Sequence, residues 1–327
     1  MASRLNVVLG ALALGGKNLA KDEACHPLLD HFFSKGWHEI DTALMYAEGK
    51  SEQVLGRYLN EKKPSKVVVA TKANPWDNKT LSAASVRKQL ETSLASLQSS
   101  CLDIFYLHAP DHTTPLEETL RAVNTLHEEG KFKDLALSNF ASWEVAEAYH
   151  ICKANGWVMP TLYQGMYNAI TRMVEGELFP CLRNFGIRFY AYNPLAGGIM
   201  TGRYTFSDTD KKPEGRFFSP GNKWATIYCD RFWRKSVFDG LDLVRAALDE
   251  SYGVGQVAMI SAALRWLNHH SQLSPDHGDA IIIGASKMEH LVSNLEACEE
   301  GPLDKRVVEA FDKAWMLDKG NCPKYYR

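Results

Sequence analysis

Eight short apolar runs punctuate the chain, at residues 7–12, 38–40, 67–70, 102–107, 135–137, 161–163, 188–191 and 280–283. Between them lie stretches whose apolar positions recur at helical spacing: 20–35, 52–60, 83–98, 116–129, 142–155, 174–185 and 256–268, with 288–298 and 304–317 after the last run. Ser82 and Ser142 stand where helix N-caps are expected, and Gly36, Gly130 and Gly156 where helices should stop. Strands alternating with helices predict a parallel sheet covered by helices. Eight such units predict a closed (β/α)8 TIM barrel, with residues 1–327 forming one domain. The rival is a doubly wound dinucleotide-binding sheet, which needs GxGxxG after its first strand. LGGKN at 14–18 and GGIMTG at 197–202 both miss that spacing.

One stretch breaks the alternation. Residues 201–235 mix Pro, Gly and charge with aromatics, among them Tyr204, Phe206, Trp224, Tyr228 and Phe232. Disordered linkers are poor in aromatics, so this is expected to be a long loop at the C-terminal face of the strands, packed over something.

Composition narrows the partners. The 327 residues are 45% apolar and 23% charged, with a formal net charge of −2. Nothing is basic enough to make nucleic acid or an anionic membrane the main partner. No run reaches the ~20 apolar residues that span a bilayer. The seven cysteines are odd in number and scattered, with no CxxC or HExxH, so no metal site is expected and reduced thiols in the cytoplasm are. The start, VVLGALALGG after Arg4, imitates a signal peptide but is read as the first strand.

In a barrel, chemistry gathers at the C-terminal strand ends. The successive runs deliver Asp41, Lys72, His108, Ser138 with Asn139, Gln164, Tyr192 with Asn193, and Gly284 with Ser286 close behind. Singly, each has a plain explanation: Asp41 as a helix cap, Lys72 as a loop lysine, His108 as a core histidine bonded to backbone, the amides as partners of loop carbonyls. Jointly, Asp, Lys and His at three consecutive strand ends would face one cavity. Tyr46 is near. A phenol titrates near ~10, and an adjacent ammonium favours its phenolate. The carboxylate would hold the lysine, and the imidazole could donate to a carbonyl oxygen. The set suits protonation of an oxyanion, while a cofactor would have to bring the reductant. The amides of Asn139 and Gln164 suit a carboxamide, and the ring of Tyr192 suits stacking on a nicotinamide.

EIDTALMY, VVVATKAN, DIFYLHAPD, LALSNF, LYQGMYN, YAYNPLAGGIMTGRY and IIIGASKMEHLVSNLEA together resemble the aldo-keto reductase family over nearly the whole chain. FYAYNPLAGG, LYQGMYNA, EEGPL and the ending CPKYYR are most similar to the aflatoxin-aldehyde and succinic-semialdehyde reductase subfamily. The resemblance implies NADPH-dependent reduction of aldehydes, with Tyr46 as proton donor and Lys72, Asp41 and His108 completing a tetrad. It assigns Ser138, Asn139, Gln164 and Tyr192 to the nicotinamide. Asn193 to Arg203, including Leu195 and Gly197, would cover the pyrophosphate, joined by Arg216, and Ser286, Lys287, His290 and Asn294 would hold the adenosine phosphate. His290 departs from the glutamine or arginine usual there and should weaken the hold on a 2′-phosphate relative to arginine. For substrate it implies Tyr228, Arg231 and Arg327, the two arginines suiting a carboxylate; Met45, Trp76 and Trp224 could form an apolar wall. It also implies a homodimer. The alternatives are a Schiff-base aldolase using Lys72, and a cofactor-sensing, weakly catalytic barrel subunit of a larger assembly.

Overall fold

Successive residues of a strand point to opposite faces, so a sheet covered on both sides needs apolar residues at nearly every position. The computed structural model describes residues 4–209 and 225–327. Its strands are β1 (Asn6–Gly10), β2 (Glu39–Asp41), β3 (Val68–Ala73), β4 (Leu102–Leu107), β5 (Phe132–Ser138), β6 (Pro160–Met166), β7 (Arg188–Tyr192) and β8 (Ala280–Gly284). Each pairs in parallel with its sequence neighbour, and β8 closes on β1. The fold is the expected (β/α)8 barrel.

Residues such as Leu9, Ile40, Phe105, Leu137, Phe189 and Ile283 face outward into one large core beneath the helices. The alternate set, Val8, Ala70, Ile104, Tyr106, Ala136, Leu162, Tyr190, Ala280 and Ile282, fills the barrel. Full burial of one large apolar side chain contributes about 1.5–3 kcal/mol, and a one-residue slip would exchange the two sets. The register is therefore tightly held. It also turns Asp41, Lys72, Ser138, Gln164 and Tyr192, each in step with the inward set, toward the C-terminal mouth.

The helices are α1 (Asp22–Ser34), α2 (Lys50–Lys62), α3 (Ala83–Leu97), α4 (Leu116–Glu128), α5 (Ser142–Asn155), α6 (Leu178–Phe185), α7 (Ala225–Phe232), α8 (Lys235–Tyr252), α9 (Met259–His269), α10 (Met288–Glu299) and α11 (Lys305–Asp318). Several bounds differ from expectation. β1 stops at Gly10, where a side chain would press on Ile282 at 3.1 Å, and a 3-10 turn follows at Ala11–Ala13. Ser142 is the first residue of α5 rather than its cap; its hydroxyl turns to Glu177, and Glu144 accepts the Ala141 N–H at 2.6 Å.

The larger correction concerns 201–235. α7 lies inside that stretch, and α8 follows where no helix was expected. α8 buries Val237, Phe238, Leu241, Val244 and Leu248. Gly240 lets it approach α11 closely: an added Cβ would lie 2.8 Å from the Cβ of Ala314. The buried Asp318 of α11 accepts from Arg234 Nε and Nη2 and from the Ser236 hydroxyl. No helix among the described residues is long and apolar enough to cross a membrane.

Candidate active site

Asp41 ends β2, and Lys72 is the penultimate residue of β3. The pairing Asp41↔Ala70 sets Lys72 one inward step farther along the barrel. Its ammonium reaches back 2.5 Å to Asp41 Oδ1 and 2.7 Å to the Thr42 carbonyl. The second Asp41 oxygen accepts Gln164 Nε2 at 2.8 Å. Neither side chain of the ion pair meets solvent, with 0% and 3% exposure. Burial pulls the Lys72 pKa below its ordinary value, opposed by the charge and hydrogen bond of Asp41 and then by the charge of Glu52. A buried ammonium paired and hydrogen-bonded in this way is tolerable, whereas removing one partner would be costly.

Tyr46 begins a 3-10 turn, Tyr46–Gly49, just past β2. Its ring centre lies 5.1 Å from Lys72 Nζ and 6.0 Å from the His108 ring, edge-on. The Tyr106 ring lies at the same 5.1 Å from Lys72. His108 follows β4 and extends its ladder, the backbone N–H donating to Ala73 O at 2.8 Å. Burial, then the Lys72 and Arg327 charges, hold its imidazole well below the ordinary histidine pKa, so it is neutral. Its Nδ1 is buried with no hydrogen-bond partner among the described residues, unlike a core histidine tied to backbone. Trp76 closes on its other side at 5.0 Å between ring centres. Asp41, Tyr46, Lys72 and His108 thus come together.

Asn139 adopts left-handed backbone, φ 61°. Its side-chain nitrogen donates to His108 O at 2.8 Å and to Ser138 Oγ at 3.0 Å, and its oxygen accepts the Tyr192 hydroxyl at 2.8 Å. Both ends of this amide are engaged by the protein itself, and Gln164 gives an N–H to Asp41; the two amides organise the strand ends as well as facing the cavity.

Asn193 accepts the Tyr228 hydroxyl at 3.1 Å and keeps a buried Nδ2 without a partner among the described residues. Beyond Leu195 the chain turns through left-handed Ala196, Gly197 and Gly198. A Cβ on Gly197 would lie 2.4 Å from the Tyr228 ring, so Tyr228 lies across this turn. At the start of α10, Ser286 Oγ is 3.3 Å from His290 Nδ1. Burial, then the charges of Arg203 and Lys287, hold His290 below its ordinary pKa, so both cations lie within electrostatic reach of it. Asn294 is buried and ties α10 to Gly284 O at 3.1 Å.

The chain end is no frayed tail. The Arg327 N–H donates to Asn139 O at 3.0 Å, and its guanidinium lies 5.5 Å from the Trp76 ring centre. The buried Tyr325 hydroxyl accepts the Ser142 N–H and donates to Glu177. Arg231 lies 5.9 Å from the Tyr228 ring centre. Desolvation, then the Arg231 charge, hold the Arg327 guanidinium below its ordinary pKa, so the two cations lie within electrostatic reach of each other. Met45 is half-buried beside Tyr46. The expected Arg216 and Trp224 lie outside the described residues. Thr42, Tyr106 and Tyr325 went unforeseen. Thr42 contributes a carbonyl, which side-chain patterns do not signal; Tyr106 and Tyr325 matter through neighbours distant in sequence.

The model of the Aldo/keto reductase family matches residues 6–316. The chain belongs to that family. As a member it is an oxidoreductase, and the resemblance read from its motifs holds. Aflatoxin B1 aldehyde reductase member 2 of Homo sapiens is 55% identical over 99% of this chain and 90% of its own length. Aflatoxin B1 aldehyde reductase member 4 of Homo sapiens is 54% identical over 99% and 98%. A solved aldo/keto reductase from Klebsiella pneumoniae, in complex with NADP and acetate, shares the fold at a TM-score of 0.68. That match covers 98% of this chain and 93% of the other at 23% identity.

Proposed function

We propose that this aldo/keto reductase uses NADPH to reduce reactive aldehydes to alcohols, favouring those that carry a carboxylate. Succinic semialdehyde and 2-carboxybenzaldehyde are the substrates best suited, with dialdehydes of the aflatoxin type also accepted. The observation that carries the reading is the buried Lys72 ammonium, gripped by Asp41 and Thr42 O, beside Tyr46 and a neutral His108.

The residues present fit a dinucleotide. Asn193 offers a buried, unpartnered N–H, the turn at Gly197 and Gly198 exposes backbone beneath Tyr228, and the first turn of α10 offers free N–H groups beside Lys287 and Arg203. Bound there, NADPH would supply the hydride. The chain does the rest. A neutral His108 can donate one N–H to the carbonyl oxygen and polarise it. Tyr46 gives its phenolic proton to that oxygen as negative charge develops. The Lys72 ammonium stabilises the phenolate left behind, and Asp41 keeps the ammonium charged and in place. Tyr192, with its hydroxyl fixed by Asn139, presents a ring for the nicotinamide. Arg231 and Arg327 repel each other when nothing lies between them, and a substrate carboxylate would relieve that repulsion while gaining charge-assisted hydrogen bonds. A homodimer belongs to the same reading, and the free cysteines suit a reducing, cytoplasmic setting.

The test is loss of NADPH absorbance with a panel of acidic and neutral aldehydes. Tyr46→Phe should abolish turnover while NADPH still binds with wild-type affinity. Tight NADPH binding with no turnover on any aldehyde would favour the cofactor-sensing subunit instead.

A further inference from the structure

Three consecutive residues after Tyr46 have left-handed backbone: Ala47 (φ 48°), Glu48 (φ 58°) and Gly49 (φ 86°). For residues with a Cβ this conformation is unfavourable, and it persists only where both ends of the segment are held. One end is held at Tyr46, whose N–H donates to Ala43 O at 2.9 Å. The other end is the first turn of α2, where Ser51 and Glu52 are both buried. The Ser51 hydroxyl donates to Ala11 O at 2.8 Å and lies 2.9 Å from the Thr42 hydroxyl. The Glu52 carboxylate accepts a short hydrogen bond from the Thr71 hydroxyl. Thr42 and Thr71 adjoin Asp41 and Lys72, and the Thr42 carbonyl itself receives the Lys72 ammonium. One helical turn thus clamps the exits of β1, β2 and β3 and terminates the turn that carries Tyr46. Neither residue reaches the cavity.

We propose that Ser51 and Glu52 are positioning residues that fix Tyr46 against Lys72 for proton transfer. The clamp fixes where the lysine's strand ends and where the tyrosine's turn begins, so the phenol-to-ammonium distance follows from it. The proposal rests on the reading of Tyr46 as proton donor. It predicts a loss confined to the chemical step, because a displacement on the order of 1 Å near reacting groups can cost ~100-fold. Burial raises the Glu52 carboxyl above its ordinary value, opposed by the Thr71 and Ser93 hydroxyls and the Lys72 charge, and in its ionised form Glu52 favours the buried ammonium.

Ser51→Ala, Glu52→Gln and the double variant Ala47→Gly/Glu48→Gly test it beside wild type and Tyr46→Phe. The readouts are single-turnover reduction of 2-carboxybenzaldehyde across pH, NADPH affinity, and the thermal midpoint. Ser51→Ala and Glu52→Gln should slow turnover at saturating substrate by roughly 10- to 100-fold, with KM and NADPH affinity unchanged. Glu52→Gln should also move the pH profile, and Glu52→Asp should restore part of the rate. The glycine pair relieves the backbone and should melt no lower than wild type, yet turn over more slowly; a purely structural role would make rate follow stability. Wild-type rates per folded molecule in Ser51→Ala and in the glycine pair would overturn the proposal, and these two decide it should Glu52→Gln fail to fold. If Tyr46→Phe keeps its rate, the proton-donor reading fails instead, independently of the clamp.

Discussion

Glu39 offers the sharpest test of the electrostatics inside the barrel. It lies on β2, two residues before Asp41 and on the same inward face, with 7% of its surface exposed. One carboxylate oxygen accepts Asn6 Nδ2 at 2.9 Å and the Tyr190 hydroxyl at 3.1 Å. The other is buried with no hydrogen-bond partner among the described residues. Burial, with some help from the Asp41 charge and against Tyr190, Arg188 and Asn6, raises its pKa from 4.5 to about 7. The folded chain therefore holds a proton that the unfolded chain has released. Stability must fall as pH climbs from about 4.5 to about 7 and level off above, a loss of about 3 kcal/mol at full ionisation. Glutamine reproduces the neutral acid in shape and accepts the same two hydrogen bonds. Glu39→Gln should match wild type near pH 4, gain about 1 kcal/mol at pH 5 and about 3 kcal/mol at pH 8. Paired urea melts across that range measure the gap between the two proteins, and titrations common to both cancel. A gap that stays constant with pH would refute the reasoning, because it would mean that Glu39 carries the same charge in both states.

The other predictions concern the site. Arg327→Gln should lower kcat/KM for 2-carboxybenzaldehyde roughly tenfold and leave benzaldehyde nearly unaffected, a charge-assisted contact being worth about 1.5–3 kcal/mol and this one lying at the solvent edge; equal losses on both aldehydes would remove the carboxylate role. His290 is held neutral in the free chain by burial, Arg203 and Lys287. A bound 2′-phosphate must raise its pKa, so NADPH affinity should increase as pH falls from about 8 to about 6, with NADH unaffected. Calorimetry should show that His290→Gln flattens this dependence. Gly197→Ala would force a methyl into the Tyr228 ring at left-handed backbone, and should weaken NADPH binding more than it lowers the melting temperature.

The barrel was legible because its signal is redundant. Eight runs repeat one pattern, and period 2 within each run fixes which residues face inward. Asp41, Lys72, His108 and Gln164 were readable because each stands at or just past the C-terminal end of an apolar run. α8 escaped for a local reason: Gly240 interrupts its apolar face, and its packing is answered by Ala314 and Asp318, more than seventy residues away. Such long-range pairing leaves no mark on a short window of sequence.

Site residues divide on the same principle. Groups that act through their own side chains at strand ends could be found. Those that act through a backbone carbonyl, as Thr42 does, or through a partner's position, as Ser51, Glu52 and Tyr325 do, could not. The buried ion pair shows why this matters. Asp41 is the main partner of the Lys72 charge, with Glu52 behind it, but an ammonium has three protons to place. The carbonyl of Thr42 takes one at 2.7 Å, and only the fold, by tying the Thr42 N–H to Ala70 O just past the end of β2, brings that oxygen within reach. A lysine with two fixed acceptors on one side has its remaining N–H directed away from them. Tyr46, its ring centre 5.1 Å from that ammonium, is carried by the turn after β2, so the chemistry read from four side chains depends on backbone placement that their identities do not encode.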